Sequence, residues 1–167
     1  MQPARTFLGL LIATLAVVGT AVAGPFEDAI SAYDRGDNTT AIRLFRPLAE
    51  EGRADAQTRL GAMYDNGNGV AQDYAEAIKW YRDAADQGYA EAQNRLGLMY
   101  YDGNGVPKDY VQAYKWFSLA ASKYEASQVL RPEAAIQNRD RVAAKMTPAQ
   151  IAEAQKLASE WKPTPER

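Results

Sequence analysis

The sequence predicts an all-α solenoid of antiparallel helical hairpins, and three observations carry that prediction. The first is an internal repeat. Shifting the stretch Ala54 to Tyr89 by 36 positions superposes it on the stretch that begins at Ala90, with 19 of the 36 pairs identical, among them Leu60 on Leu96, Gly61 on Gly97, Met63 on Met99 and Trp80 on Trp116. A fixed period of this length marks a unit that cannot bury its own apolar face and must stack on a neighbour. The second observation is spacing: Ala56, Leu60, Met63 and Tyr64 fall three and four apart, one face of a helix. The third is Asn66-Gly67-Asn68-Gly69, which returns as Asp102-Gly103-Asn104-Gly105. Glycine reaches φ > 0 without a steric penalty, so each loop can stop one helix and reverse the chain.

Taken in order, residues 1–23 read as a secretory signal peptide. Arg5 precedes an apolar run from Phe7 to Val22, and Ala21-Val22-Ala23 places small residues before Gly24 as a cleavage site requires. The run is short for a bilayer span, so cleavage is expected, with no stable membrane anchor afterwards. The mature chain has 144 residues, with 18 basic against 21 acidic side chains. With no basic run it offers no electrostatic footprint for nucleic acid. Cysteine is absent, so neither disulfides nor a lipidated N-terminal cysteine are expected and the core must hold the fold.

Residues 24–53 form a shortened first unit. Ala41, Ile42, Phe45, Leu48, Ala49 and Gly52 sit 36 positions before Ala77, Ile78, Tyr81, Ala84, Ala85 and Gly88. Between Tyr33 and Ala41 there are 8 positions against 13 from Tyr64 to Ala77, so five loop residues are missing. Atypical terminal units are expected in a stack. In residues 54–89 the second helix starts at a capping box, with Asp73 accepting from the Glu76 amide and the Glu76 carboxylate reaching back; Asp109 and Gln112 repeat this in residues 90–125.

These residues carry a resemblance. Ala-x-Ala-Gln-x-x-Leu-Gly-x-Met-Tyr from Ala54, Gly67-x-Gly69-Val70, Asp73-Tyr74-x-x-Ala77-x-Lys79-Trp80-aromatic and Ala84-Ala85 resemble the Sel-one-like repeat (SLR), a relative of the tetratricopeptide repeat (TPR). Two copies match, and Phe26 to Arg53 matches more loosely. The resemblance implies a right-handed superhelical solenoid of helical hairpins that holds proteins or peptides, with no reaction of its own. Some exported SLR proteins carry paired cysteines, and this sequence departs from them.

After Ala121 the register decays, because Pro132 stands where the period predicts a leucine. Tyr124 to Arg131 is a helix end or a separate turn. A helix then opens at Pro132 and runs to about Lys145, with Ala135, Ile136, Val142 and Ala143 inward. Thr147-Pro148-Ala149-Gln150 is a capping box with proline at the first helical position, and Ile151, Ala154, Leu157, Ala158 and Trp161 form the last amphipathic face. Residues 126–161 are read as capping helices and 162–167 as a loose tail.

The chemistry available is narrow. Without His or Cys there is no Ser-His-Asp or Cys-His constellation and no usual zinc site. A carboxylate pair drawn from Asp55, Asp65, Glu91 and Asp102 would serve a cell-wall or glycan-acting hydrolase, or an accessory factor of one. That is the alternative reading, weak because nothing apolar is in view to raise one pKa. The loops lack the alternating carboxylates and the glutamate of a calcium site and the Lys-Ser/Thr of a phosphate cradle, so no cofactor and no metal are expected. Trp80, Tyr81, Trp116 and Phe117 stand at core spacing. By resemblance to the tetratricopeptide family, the concave face is lined by Asp55, Thr58, Ala62 and Asp65 in one unit and Glu91, Asn94, Leu98 and Tyr101 in the next. Acidic rims over an apolar floor suit a basic or aromatic peptide. The expected function is an exported protein-interaction module, periplasmic or secreted.

Overall fold

The computed structural model describes residues 24–127 and 133–164, so the expected signal peptide over 1–23, the expected opening at Pro132 and residues 165–167 of the expected tail lie outside the described residues. Within them the chain forms eight α-helices and no strand: α1 (Pro25–Asp34), α2 (Asn38–Glu50), α3 (Ala54–Asn66), α4 (Tyr74–Asp86), α5 (Ala90–Asp102), α6 (Tyr110–Ser127), α7 (Glu133–Ala143) and α8 (Pro148–Glu160). Each helix from α1 to α6 packs on its successor, and α3 touches α5 across one unit. This is the stacked-hairpin solenoid that the period requires.

The helix ends follow the sequence with one correction. Asp37, Asp73 and Asp109 each accept backbone N–H bonds from the first turn that follows, and such caps stabilise by about 1 kcal/mol each. Neither Glu76 nor Gln112 reaches back to complete a box, because the Asp73 N–H donates to the Tyr64 carbonyl at 3.0 Å and the Asp109 N–H to the Tyr100 carbonyl at 2.9 Å; the Glu76 carboxylate lies 3.8 Å from Lys79. The box at Thr147 is complete, with Gln150 Oε1 accepting from the Thr147 N–H at 2.9 Å. At the loops, the Gly103 and Asn104 N–H groups both donate to the Met99 carbonyl, and those of Gly67 and Asn68 to Met63.

The core is a continuous seam rather than one ball per hairpin. Phe45, Leu60, Met63 and Trp80 share a cluster, so α4 sends its tryptophan into the first unit; one period later Leu96, Met99 and Trp116 share a cluster with Ala77 and Tyr81. Leu60, Tyr81, Leu96 and Phe117 are wholly buried, and each such side chain contributes about 1.5–3 kcal/mol by leaving water. Within a hairpin the helices close on glycine. A Cβ at Gly61 would stand 2.8 Å from the Tyr81 ring, and one at Gly97 would stand 2.7 Å from Phe117.

Polar side chains tie unit to unit at the same period. Gln57 Nε2 donates to the Ala49 carbonyl and Gln93 Nε2 to the Ala85 carbonyl, both at 3.1 Å. Arg46 donates to the Tyr64 hydroxyl at 2.7 Å and Arg82 to the Tyr100 hydroxyl at 2.8 Å. One period further the pair would be Ser118 and Ile136, which cannot continue the ladder. There the stack changes character: α7 and α8 both pack on α6 rather than chiefly on each other. Ala135, Val142 and Ala154 are buried as their spacing requires, while Ile136, Ala143, Ile151, Ala158 and Trp161 are half-buried against the clusters. The tail is not loose where it is described. The Thr164 N–H and hydroxyl both donate to the Asp86 carbonyl, at 2.8 and 3.1 Å.

Candidate functional site

The eight residues expected on the concave face do not form one uniform surface. In α3, Asp55, Ala62 and Asp65 are half-exposed, but Thr58 is only 2% exposed and its hydroxyl donates to the Ala54 carbonyl of its own helix at 2.7 Å. A short β-branched hydroxyl satisfied by the turn below it can sink into the seam. Thr58 therefore offers nothing to a partner.

In α5, Glu91 lies near the N-terminal end, while Asn94, Leu98 and Tyr101 run under α7. Asn138 Nδ2 donates to Asn94 Oδ1 at 3.0 Å, the Arg141 guanidinium lies 4.7 Å over the Tyr101 ring, and Leu98 and Tyr101 join the cluster built on Val142. Tyr101 also packs against Tyr110, with 5.6 Å between ring centroids. These three positions are engaged within the chain. The face that remains runs along α3 and the first turn of α5.

The two units also differ at one equivalent pair. In the first, the Tyr81 hydroxyl donates to Asp65 Oδ2 at 3.3 Å. Burial, and then the nearby Asp65 carboxylate, push the phenol well above its ordinary value, so it stays a neutral donor. In the second unit the same positions hold Phe117, which has no hydroxyl to donate, and Tyr101, whose ring packs on Tyr110.

The expected acidic rim is also partly balanced by cations that the sequence reading passed over. Arg53 holds Asp55 at 2.8 Å, and Arg95 lies 4.0 Å from Glu91. Exposed pairs of this kind are each worth about 0–1 kcal/mol, so the face is mixed in charge rather than simply acidic. The signal was available for Arg95, which stands four residues after Glu91 on one helix, but not for Arg53, whose equivalent one period on is Tyr89. For the carboxylate-pair reading, Asp55 and Asp65 stand ten residues apart on one helix. At about 1.5 Å per residue they lie about 15 Å apart, beyond the roughly 5–9.5 Å of a glycosidase pair. Among the described residues no group of three or more Asp or Glu is placed to hold a metal ion.

The Sel1 repeat family matches residues 54–89 and 90–124, the two hairpins α3–α4 and α5–α6. Residues 54–124 are two Sel1 repeats. Among solved structures, a protective antigen present in uropathogenic Escherichia coli strains and displaying an SLR fold is similar over 83% of this chain, at 33% identity and a TM-score of 0.72. A Sel1 repeat protein from Oxalobacter formigenes is similar over the same share, at 27% identity and a TM-score of 0.57. This chain spans 30% of the first and 61% of the second. No curated protein matches the sequence. The repeats and the structures they resemble share the SLR solenoid fold seen in α1–α6.

Proposed function

We propose that this protein is an exported Sel1-repeat adaptor, periplasmic or secreted, that captures an extended peptide segment of a partner protein and catalyses no reaction itself. The observation that carries the reading is the position of Asp55, Ala62, Asp65 and Glu91: half-exposed on neighbouring first helices of two Sel1 units, along α3 and the first turn of α5, where α7 does not engage the face. Ala62 keeps the floor low, and carboxylates at its edges favour basic side chains of the segment. Export rests on the n-region, apolar run and Ala21-Val22-Ala23 pattern of residues 1–23. Among the described residues no helix is long and apolar enough to cross a membrane.

The reading is tested in two stages. Fractionation of cells should yield a product that begins at Gly24 in the periplasm or medium; an intact chain beginning at Met1 and held in the membrane would refute export. Affinity capture from that compartment, identified by mass spectrometry, should then lose its partner at least tenfold with Asp55→Lys combined with Glu91→Lys. Both carboxylates sit in the first turn of a helix, where reversing the charge costs about 0.3–1 kcal/mol each, so the thermal midpoint should move little. Undiminished capture by a folded double variant would remove this face from the binding surface.

A further inference from the structure

We propose that the cavity walled by Trp80 is a docking groove for an extended segment of a partner protein that carries an aromatic side chain flanked by basic residues. The cavity holds about 520 Å³ where the first unit passes to the second, among Ala49, Glu50, Gln57, Trp80, Asp83 and Asp86. A second hollow of about 410 Å³ shares Glu51, Gly52 and Gln87 with it and continues toward Asp55 and Tyr89.

The chain itself shows what such a groove accepts, because the period of 36 builds the same walls once more. Ala49, Glu50, Gln57 and Trp80 correspond to Ala85, Asp86, Gln93 and Trp116. In that second groove lies the chain's own segment after α8. The Trp161 ring meets Trp116 edge to face at 6.3 Å, within the cluster that holds Ala85 and Leu119, and its backbone is extended at φ −69° and ψ 139°. Three residues on, Thr164 donates twice to the Asp86 carbonyl, the equivalent of the Glu50 carbonyl. The segment ends its described course on the wall of the Trp80 cavity, which Thr164 also lines. One groove is thus filled by an extended aromatic segment, and its structural twin stands open beside it.

Charge distinguishes the two and selects the occupant. The walls of the open groove carry Glu50, Glu51, Asp83 and Asp86; the equivalent positions of the filled one are Asp86, Gln87, Leu119 and Ser122. Four carboxylates against one favour a segment richer in Lys or Arg than the internal one, whose own Lys162 already follows the aromatic ring. The groove is lined by residues other than the concave-face side chains except where its extension meets Asp55. Its occupancy therefore stands whether or not that face binds a partner.

The test uses a fluorescent peptide copied from residues 159–164 with Glu160→Lys, titrated against the full chain by anisotropy. Saturable binding is expected, weakened tenfold or more by Glu50→Lys combined with Glu51→Lys, and lost when the peptide tryptophan is replaced by alanine. Both glutamates are exposed at the C-terminal end of α2, where cations suit the helix dipole, so circular dichroism should show the variant folded with an unlowered melting midpoint. Absence of saturable binding, or binding that the charge reversal leaves unchanged, would overturn the proposal. So would binding that appears only with Trp161→Ala, since the peptide would then be taking the tail's own place. A concentration-dependent dimer in sedimentation that the charge reversal abolishes would assign the groove to a second copy of this chain and refute a partner segment.

Discussion

Leu96→Ala should lower the free energy of unfolding by about 2–5 kcal/mol, the range for deleting a buried leucine from a packed interior. Leu96 is wholly buried in α5, in the cluster where Ala77, Ile78 and Tyr81 of α4 meet Met99, Trp116 and Leu119. The side chain therefore belongs to the seam between two hairpins and not to one of them. In a stack whose stability is a sum of unit terms and nearest-neighbour terms, such a position weakens its own hairpin and its junction together. Urea unfolding followed by circular dichroism should show the midpoint fall with an unchanged slope, the mark of lost stability without a change in the surface exposed. Leu60→Ala, one period earlier and equally buried, should behave alike. A loss below about 1 kcal/mol at both would mean that the seam relaxes into the space left behind.

How far the sequence could be read depended on whether a feature repeats. Leu60 and Leu96, Trp80 and Trp116, and the caps Asp73 and Asp109 were legible because each appears twice at one spacing, and chance rarely repeats a pattern at a fixed offset. What failed was decided by contacts between residues far apart in the chain. Thr58 and Asn94 hold equivalent positions, yet one sinks into the seam while the other meets Asn138, 44 residues on. Tyr101 belonged by its register to an open face, and α7 lies over it because Arg141 and Val142 pack there. The segment after α8 is rich in proline and reads as a tail, but its Thr164 binds a carbonyl 78 residues away. No local pattern encodes that partner. The missing capping boxes at Asp73 and Asp109 are a different failure: each aspartate N–H already donates to a carbonyl of the preceding helix, Tyr64 at 3.0 Å and Tyr100 at 2.9 Å, so no donor is left for the side chain of Glu76 or Gln112.

Gly105→Val should cost about 3 kcal/mol or more, because two penalties meet at one residue. Gly105 lies at φ 70°, a left-handed conformation that costs a residue with a Cβ about 1–2 kcal/mol, and a β-branched one most of all. A Cβ there would also stand 2.7 Å from Tyr74 Cβ and 2.9 Å from Ile78 Cδ1. The loop between α5 and α6 rests directly on the first turns of α4, so the added methyls must push one unit off the other, at about 1–3 kcal/mol for overpacking. Gly36 separates the two terms. It has φ 76°, but a Cβ on it would meet nothing within 4 Å. Gly36→Ala should therefore show the conformational penalty alone, and Gly105→Ala should exceed it by the packing term. Gly69→Ala should exceed it too, since its Cβ would stand 2.8 Å from the Asn38 backbone. Denaturation midpoints of the three alanine variants, measured together, decide the matter. Equal losses would show that the glycines serve only the turn, whereas larger losses at 69 and 105 would show that each loop is also a bearing surface between successive hairpins.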